Sequence, residues 1–216
     1  MDQVTTVIIN YQTPNLLERA VNSFHQFYPD LKMVIIDNGS QDYSPELIKN
    51  WELSNRFHVE AKYFEENKFH GPAMDYALKY LVKTKYTFLL DSDTETRKKG
   101  FLETMINRAE QRKTIYGVGE IMHVNKRGFK DENGEVVLAT PFMLLKTDKY
   151  KRLTPFEHHG LPTIKNFVQA RQAGYGLINF PIRDYIYHKG RGTAEKYGYG
   201  LGLKGKLNFI LNKMGL

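Results

Sequence analysis

Apolar and polar residues follow one another in a regular order along the first half of the chain. Four short apolar or β-branched runs have the length and composition of buried strands, at residues 6–10, 33–36, 57–64 and 86–90. Apolar residues at helical spacing follow these runs, at residues 17–27, 47–51, 74–81 and 101–109. This alternation predicts an α/β fold with parallel βαβ units, right-handed crossovers and a doubly wound sheet.

The second half of the chain no longer alternates regularly between predicted strands and helices. It predicts strands at residues 115–124, 142–145, 177–180 and 185–187, and a helix from Ile164 that Gly174 ends. Because no convincing boundary interrupts the chain, we predict a single domain. We divide it into a nucleotide-binding half, an acceptor-side half, and a Gly-rich tail with a C-terminal helix, at residues 1–115, 116–193 and 194–216.

Prolines mark the starts of the predicted helices. Pro14 follows Thr13, a pair typical of an N-cap residue and the first helical position. Ser44-Pro45 and Gly71-Pro72 open two further helices in the same way. We therefore expect Thr13 to act as the N-cap of the first helix.

Composition narrows the classes of protein and of site. The chain has no cysteine, which excludes disulfides, zinc–thiolate sites and a cysteine nucleophile and fits a reducing compartment. It shows no secretory signal, and no apolar stretch approaches the roughly 20 residues that span a bilayer. We expect a cytoplasmic protein, soluble or peripheral to a membrane. The net charge of +7 fits nucleic acid, anionic lipid or a phosphorylated ligand, or simply a basic surface.

Polar residues follow three of the predicted strands, where an open α/β sheet binds its ligands. Asn10 begins the first group, Asp37 and Asn38 form the second, and Asp91-Ser92-Asp93 forms the third. The two carboxylates of this DxD pattern are costly near a core unless a positive charge offsets them. A divalent cation with oxygen ligands would do so, and a simple strand-end turn is the alternative.

A basic, Gly-rich segment follows the last predicted strand. His188 opens it, and a neutral imidazole there could complete a metal site. Lys189 and Arg191 could hold a diphosphate, with Gly190 and Gly192 allowing close approach of the backbone. The alternative is a surface histidine in a basic loop.

Several segments together resemble the GT-A-fold nucleotide-diphospho-sugar glycosyltransferases, in particular glycosyltransferase family 2. They are Val7-Ile8-Ile9-Asn10-Tyr11, residues 34–40, Glu66-Asn67 with Gly71-Pro72-Ala73, residues 89–93, Ala173-Gly174-Tyr175, Pro181 and residues 187–190. The resemblance implies a mostly parallel central sheet flanked by helices, with a smaller antiparallel sheet on the acceptor side. It also implies transfer of a sugar from a UDP, GDP or dTDP donor to a glycan or lipid-linked acceptor, in glycan or polysaccharide synthesis.

By this resemblance, Tyr11, Thr13 and Asp37 line the base pocket and Asp91 contacts the ribose. Asp93 binds Mn²⁺ or Mg²⁺ at the diphosphate, with His188 as a second ligand and Asp91 as a further candidate. A histidine ligand favours Mn²⁺. The full set implied for the donor is Tyr11, Thr13, Asp37, Asn38, Asn67, Gly71, Asp91, Ser92, Lys189 and Arg191.

The sequence departs from the family pattern at the position expected for the general base. Family members usually carry an acidic pair at the start of the helix before the Ala-Gly-Tyr element, where this chain has Pro162-Thr163. We predict Glu157 as the base, with His158 and His159 as alternatives, or a solvated loop without a catalytic role. The expected reaction is an inverting, hexosyltransferase-like transfer, and the departure at the base leaves that stereochemistry open.

Two other functions compete with sugar transfer. A nucleotidyltransferase that makes nucleotide-sugars favours a loop rich in Gly, Arg and Lys after the first strand, and residues 10–14 contain none. A basic nucleic-acid module would cluster its charges, whereas these are dispersed except at residues 97–99 and in the tail. We therefore expect no nucleic-acid partner. The C-terminal segment either packs on the domain or contacts anionic lipid through its lysines.

Overall fold

The computed structural model describes residues 2–157 and 162–190. Within them the chain alternates between strands and helices. The strands are β1 Val4–Asn10, β2 Met33–Asp37, β3 Val59–Tyr63, β4 Tyr86–Leu90, β5 Thr94–Thr96, β6 Ile115–Val124, β7 Glu135–Lys146, β8 Gly176–Asn179 and β9 Ile186–His188. The helices are α1 Pro14–Phe27, α2 Ser44–Ser54, α3 His70–Tyr76, α4 Phe101–Glu110, α5 Thr147–Tyr150 and α6 Ile164–Gln172. A π-helical turn, Ala77–Leu81, continues α3, and a 3₁₀ turn spans Ile182–Asp184.

Seven strands form the central sheet in the order β3-β2-β1-β4-β7-β6-β8. The pairs among β3, β2, β1 and β4 are parallel, as is the pair of β6 with β8. β7 runs antiparallel to both β4 and β6. A separate two-stranded antiparallel sheet joins β5 and β9. The predicted architecture, a mostly parallel sheet with a smaller antiparallel one, is confirmed.

Helices cover both faces of this sheet, which explains why its central strands are buried along their whole length and rich in apolar residues. Ile8 and Phe88 face one core, where α1 and α4 contribute aromatic and aliphatic side chains. Val7 and Leu89 face the opposite core, which α3 and α6 help to fill. Successive residues of a strand point to opposite faces, so an uninterrupted apolar run serves both cores.

Three details differ from the sequence predictions. Thr13 does precede α1, but its side chain makes no capping hydrogen bond, because its hydroxyl bonds to other buried polar groups. The strand predicted at residues 142–145 is the end of the much longer β7. β5 was not predicted, since its three residues carry no apolar run and are held by pairing with β9.

The described residues contain no helix that is both long and apolar enough to cross a membrane. The predicted tail and C-terminal helix, at residues 194–216, lie outside the described part of the chain. Membrane contact through that segment, the cytoplasmic location and the division of the domain into two halves stay predictions.

Candidate functional site

The carboxyl ends of β1, β2 and β4 meet at one edge of the sheet. Asn10 ends β1 in register with Asp37 at the end of β2, and the Asn38 amide donates to the Asn10 carbonyl over 2.8 Å. Asp91 follows β4, the parallel neighbour on the other side of β1. The three polar groups predicted from the sequence therefore lie at one edge of the sheet, because parallel strands bring their carboxyl ends together.

A network of buried hydrogen bonds fixes Asp37. Its carboxylate is 1% exposed and accepts from Asn10 Nδ2 over 3.1 Å and from the Ser40 amide over 2.9 Å. Thr13 Oγ1 donates to Asn10 Oδ1 over 3.0 Å and lies 3.3 Å from Ser92 Oγ. Buried polar groups need such partners, and here they lock the ends of three strands to one another.

A turn after β2 brings a distant loop to the same edge. Gly39 has a φ of +80°, and a Cβ there would lie 2.5 Å from the Glu66 carbonyl carbon. Asn38 Nδ2 donates to Asn67 Oδ1 over 3.0 Å, and the Lys68 amide donates to Asn38 Oδ1 over 3.0 Å. The missing side chain of Gly39 thus allows Asn67 to reach the crevice.

Asp91, Asp93 and His188 form an acidic cluster beyond β4. One ligand atom from each lies within 4.8 Å of the others. His188 Nε2 is 3.0 Å from Asp93 Oδ1 and 3.9 Å from Asp91 Oδ2. Pairing of β5 with β9 sets His188 opposite Thr94, and the Lys189 amide donates to the Asp93 carbonyl over 3.0 Å.

The carboxylates of Asp91 and Asp93 repel each other. Burial raises the pKa of Asp91, and the charge of Asp93 raises it further, against the opposing effects of His70 and His188. Burial alone would lower the pKa of His188, but its hydrogen bond to Asp93 and the charges of both carboxylates raise it overall. The cluster therefore attracts positive charge.

His70 also belongs to this cluster, and the sequence did not indicate it. It is the first residue of α3, and its Nε2 lies 3.4 Å from Asp91 Oδ1. Its position directly before Gly71-Pro72, at a predicted helix start, was the one available signal. Only the tertiary structure reveals its contact with Asp91.

The backbone of the predicted base, Glu157, lies against the start of α3. A Cβ on Gly71 would come within 1.7 Å of the Glu157 carbonyl oxygen, so this loop packs against the start of α3. The Glu157 carboxylate is exposed and pairs with Lys165 Nζ over 2.9 Å. The alternatives His158 and His159, like Arg191, lie outside the described residues.

The sequence profile described as glycosyl transferase family 2 matches residues 5–169, more than half of the chain. The chain belongs to glycosyl transferase family 2. The matched region contains Asp37, Asp91, Asp93 and Glu157, whereas His188 lies beyond it.

Solved structures with the GT-A fold of this family are similar to the chain. A mannosyltransferase from Pyrobaculum calidifontis, solved with GDP-Man and Mn²⁺, has a TM-score of 0.66 at 15% identity, covering 83% of this chain and 55% of its own. S. aureus TarS 1-349 with UDP-GlcNAc has a TM-score of 0.61 at 16% identity, covering 86% of this chain and 58% of its own. At these identities the likeness establishes the fold.

A relative by sequence is the uncharacterized protein L142 of Acanthamoeba polyphaga mimivirus. The match extends over 123 residues at 25% identity and covers 53% of this chain and 25% of L142. The chain thus spans a quarter of the length of this relative and just over half that of the mannosyltransferase.

Proposed function

We propose that this family 2 protein is a metal-dependent glycosyltransferase that moves a sugar from a nucleoside-diphosphate donor to an acceptor hydroxyl. The observation that carries the proposal is the cluster of Asp91, Asp93 and His188 at the carboxyl end of β4. The neighbouring network around Asp37 supports it with a second polar region in the same crevice. Similar structures bind GDP-Man with Mn²⁺ or UDP-GlcNAc.

The donor atoms of the cluster fit a divalent cation. Two carboxylates and one imidazole lie close enough to share an ion, and the hydrogen bond to Asp93 and the charges of both carboxylates raise the pKa of His188 against the effect of burial. Carboxylate oxygens suit Mg²⁺ and Mn²⁺, and the imidazole favours Mn²⁺. When bound, the cation would offset the charge on the diphosphate leaving group.

Asp37 is suited to read the nucleotide base. Its two oxygens already accept from Asn10 and Ser40, which orients the carboxylate and leaves lone pairs for a further N–H donor. We assign Tyr11 and Thr13 to the same base pocket, and Asn38, Asn67, Gly71 and Ser92 to the walls of the donor site. Both GDP and UDP are candidates for the nucleotide of the donor, since similar structures hold either GDP or UDP compounds.

The proposed reaction is a single displacement at the anomeric carbon. The acceptor oxygen bonds to that carbon as its bond to the diphosphate oxygen breaks, and the bonding electron pair leaves with the diphosphate. The acceptor proton passes to the Glu157 carboxylate, and Lys189 assists by holding the departing phosphate. This course inverts the configuration of the sugar.

We propose a glycan or lipid-linked hydroxyl compound as the acceptor. Residues 116–193 would bind it, and residues 1–115 would hold the donor.

Binding of nucleoside diphosphates tests the proposal directly. UDP, GDP and dTDP are titrated calorimetrically with and without Mn²⁺ against the wild type, Asp93→Asn and the exposed control Asp30→Asn. We expect one nucleotide to bind tightly only with Mn²⁺, and Asp93→Asn to weaken it by about tenfold or more, since a charged ligand is lost. Asp30→Asn should bind like the wild type.

Turnover provides the decisive readout. Nucleotide-sugars are screened for Mn²⁺-dependent release of the nucleoside diphosphate by the wild type and by folded Asp93→Asn. A variant that turns over donor at the wild-type rate without metal would refute the proposed role of the cluster.

A further inference from the structure

A cavity rich in lysine lies at the edge of the sheet opposite the acidic cluster. Its volume is about 630 Å³. It is bounded by the residues before β4, the end of β7, α5 and the loop after α4. Six lysines line it, which we call the lysine cavity: Lys83, Lys85, Lys113, Lys146, Lys149 and Lys151.

The lysine cavity is separate from the candidate donor site. Lys85 directly precedes β4 and Asp91 directly follows it. At roughly 3.3 Å per strand residue, the two positions are about 20 Å apart. A diphosphate bound at Asp91 and Asp93 therefore cannot contact these lysines.

Lys146 is the unusual residue of the cavity. It ends β7 and is only 7% exposed. No hydrogen bond or ion pair joins its ammonium group to any residue in the described part of the chain. Burial lowers its pKa, and the charges of Lys149 and Lys85 act in the same direction, against those of Glu110 and Asp148. The stem of the side chain is thus buried, while its ammonium group has no partner of its own among the described residues and is not fully enclosed.

The acidic side chains of the cavity do not pair with Lys146. Glu110 pairs with Lys85 over 2.6 Å and also bonds to the Tyr86 hydroxyl. Asp148 is exposed and makes no ion pair with Lys146. With six lysines against these two carboxylates, the lining keeps an excess of four positive charges.

Some of the lysines are held in place by neutral groups. Lys151 Nζ donates to the Val82 carbonyl over 3.2 Å, and Lys83 Nζ donates to the Tyr80 carbonyl over 2.9 Å. Lys149 Nζ lies 3.7 Å from the centroid of the Tyr175 ring. These contacts orient the ammonium groups without neutralising them, so each keeps donors for a ligand.

We propose that the lysine cavity is a second ligand site, which binds a phosphomonoester or a short polyphosphate group. Several ammonium groups around one space suit the multiple oxygens of phosphate, which lysine binds as a point charge. A volume of about 630 Å³ falls in the range of small-molecule sites and exceeds what one inorganic phosphate needs. Lys146 contributes an ammonium group that pairs with no residue in the described part of the chain.

Calorimetric titration of the full chain with inorganic tripolyphosphate tests the proposal. EDTA is present throughout, so that metal at the acidic cluster does not contribute. We compare the wild type with Lys146→Met and with Lys49→Met, a control that removes one exposed lysine on α2. We expect Lys146→Met to bind about tenfold more weakly or worse, as for loss of a charged hydrogen bond. Lys49→Met should stay within about twofold, because Lys49 does not line the cavity and a distant exposed charge contributes little.

Two further variants keep the result interpretable. Lys113→Met changes an exposed residue of the cavity and should weaken binding by about threefold or more even if Lys146→Met does not fold. Asp93→Asn should bind tripolyphosphate like the wild type, because the two sites are separate. A wild type that binds tripolyphosphate but no nucleoside diphosphate would therefore count against the proposed function and not against the lysine cavity.

Sedimentation with vesicles identifies the source of the phosphate. Phosphatidylcholine vesicles with and without phosphatidic acid present a phosphomonoester on a membrane. Binding to phosphatidic acid vesicles that Lys146→Met reduces indicates a lipid headgroup, whereas binding to tripolyphosphate alone indicates a soluble phosphate compound. The proposal is overturned if neither probe binds, or if Lys146→Met and Lys49→Met bind alike.

Discussion

Asn10 shows how single residues shape the candidate site. It is fully buried, and its amide group bonds to Asp37 and Thr13, while Thr13 contacts Ser92 after β4. Each of these side chains is a short polar group that pure core packing would disfavour. Their mutual hydrogen bonds offset that cost and leave the Asp37 carboxylate in a defined orientation at the edge of the crevice.

Glu157→Gln tests the proposed base. Loss of the proton acceptor should lower kcat by roughly a hundredfold or more, the usual contribution of general base catalysis, with little change in donor KM. Steady-state kinetics with the donor found in the screen measure both constants.

Lys165→Met is the matched control for that experiment. It removes the ion pair of Glu157 but keeps the carboxylate. The control should retain most of its kcat. Wild-type turnover by Glu157→Gln would instead assign the base to another residue.

His25 on α1 gives a prediction for the dependence of stability on pH. Burial lowers its pKa below the ordinary value of 6.5, and His58 and Arg56 add to the effect, against the charge of Asp30. The unfolded chain therefore binds this proton more readily. The contribution of neutral His25 to stability is complete above pH 6.5 and is lost as the pH falls toward the lower folded pKa.

Urea unfolding between pH 5 and 8 measures this contribution for the wild type and His25→Gln. The wild type should lose stability relative to the variant as the pH falls below about 6.5. Gln26→Ala, on the same helix, should differ from the wild type by a constant amount. A constant difference for His25→Gln as well would exclude the predicted linkage.

Among the elements, α3 connects the parts of the site. His70 at its start contacts Asp91, and Gly71 packs against the loop that carries Glu157. That loop is closed by the Glu157 amide, which donates to the Pro162 carbonyl over 2.9 Å. The short pair of β5 and β9 plays a similar part by setting His188 against Asp93. The packing of Gly71 against Glu157 and the pairing of β5 with β9 both depend on backbone contacts between distant segments.

Gly71→Ala should disturb the first of these contacts. The new Cβ would meet the Glu157 carbonyl oxygen at 1.7 Å and Pro162 Cβ at 2.9 Å, so backbone has to move. We expect a loss of about 1–3 kcal/mol in the free energy of unfolding, as for overpacking in a core. Urea denaturation measures it.

Gly176→Ala serves as the comparison. Its Cβ would meet only Ile115 Cδ1, at an ordinary 3.4 Å. Its stability should remain within about 0.5 kcal/mol of the wild type. Equal stability of both variants would show that the loop adapts to the added methyl group without cost.

For the molecule as a whole, β4 is the strand that links the two halves of the sheet and borders both candidate sites. It joins the parallel half of the sheet to the antiparallel half, pairing with β1 on one side and β7 on the other. Its side chains enter both cores. The acidic cluster follows one end of it and the lysine cavity borders the other. Both candidate sites therefore rely on the same rigid element.

Phe88→Ala should destabilise the whole domain. The ring is fully buried, with centroids 6.2 Å from Phe24 and 5.5 Å from Phe101. We expect a loss of about 3–5 kcal/mol in the free energy of unfolding, from lost burial and the cavity left behind. Leu53→Ala, at a side chain 75% exposed, should change it by less than about 0.5 kcal/mol. A comparably small effect of Phe88→Ala in urea unfolding would contradict the packing described for β4.

Local patterns in the sequence determined the first four strands, the helices between them and the polar residues at the strand ends. Asp37, Asp91 and Asp93 could be selected because each follows an apolar run, and parallel strands place their carboxyl ends at one edge. The periodicity of side chains along a strand or helix is a local property, so it can be read without knowing the fold.

Tertiary structure alone decided which distant segments meet. The contact of His70 with Asp91, the unpredicted β5 beside β9 and the six lysines around one cavity all join segments far apart in the chain. Thr13 illustrates the same limit, since its hydroxyl bonds to Asn10 instead of capping α1. The reason is physical: which remote groups pair depends on burial and hydrogen bonding over the whole molecule, and no local pattern records that choice.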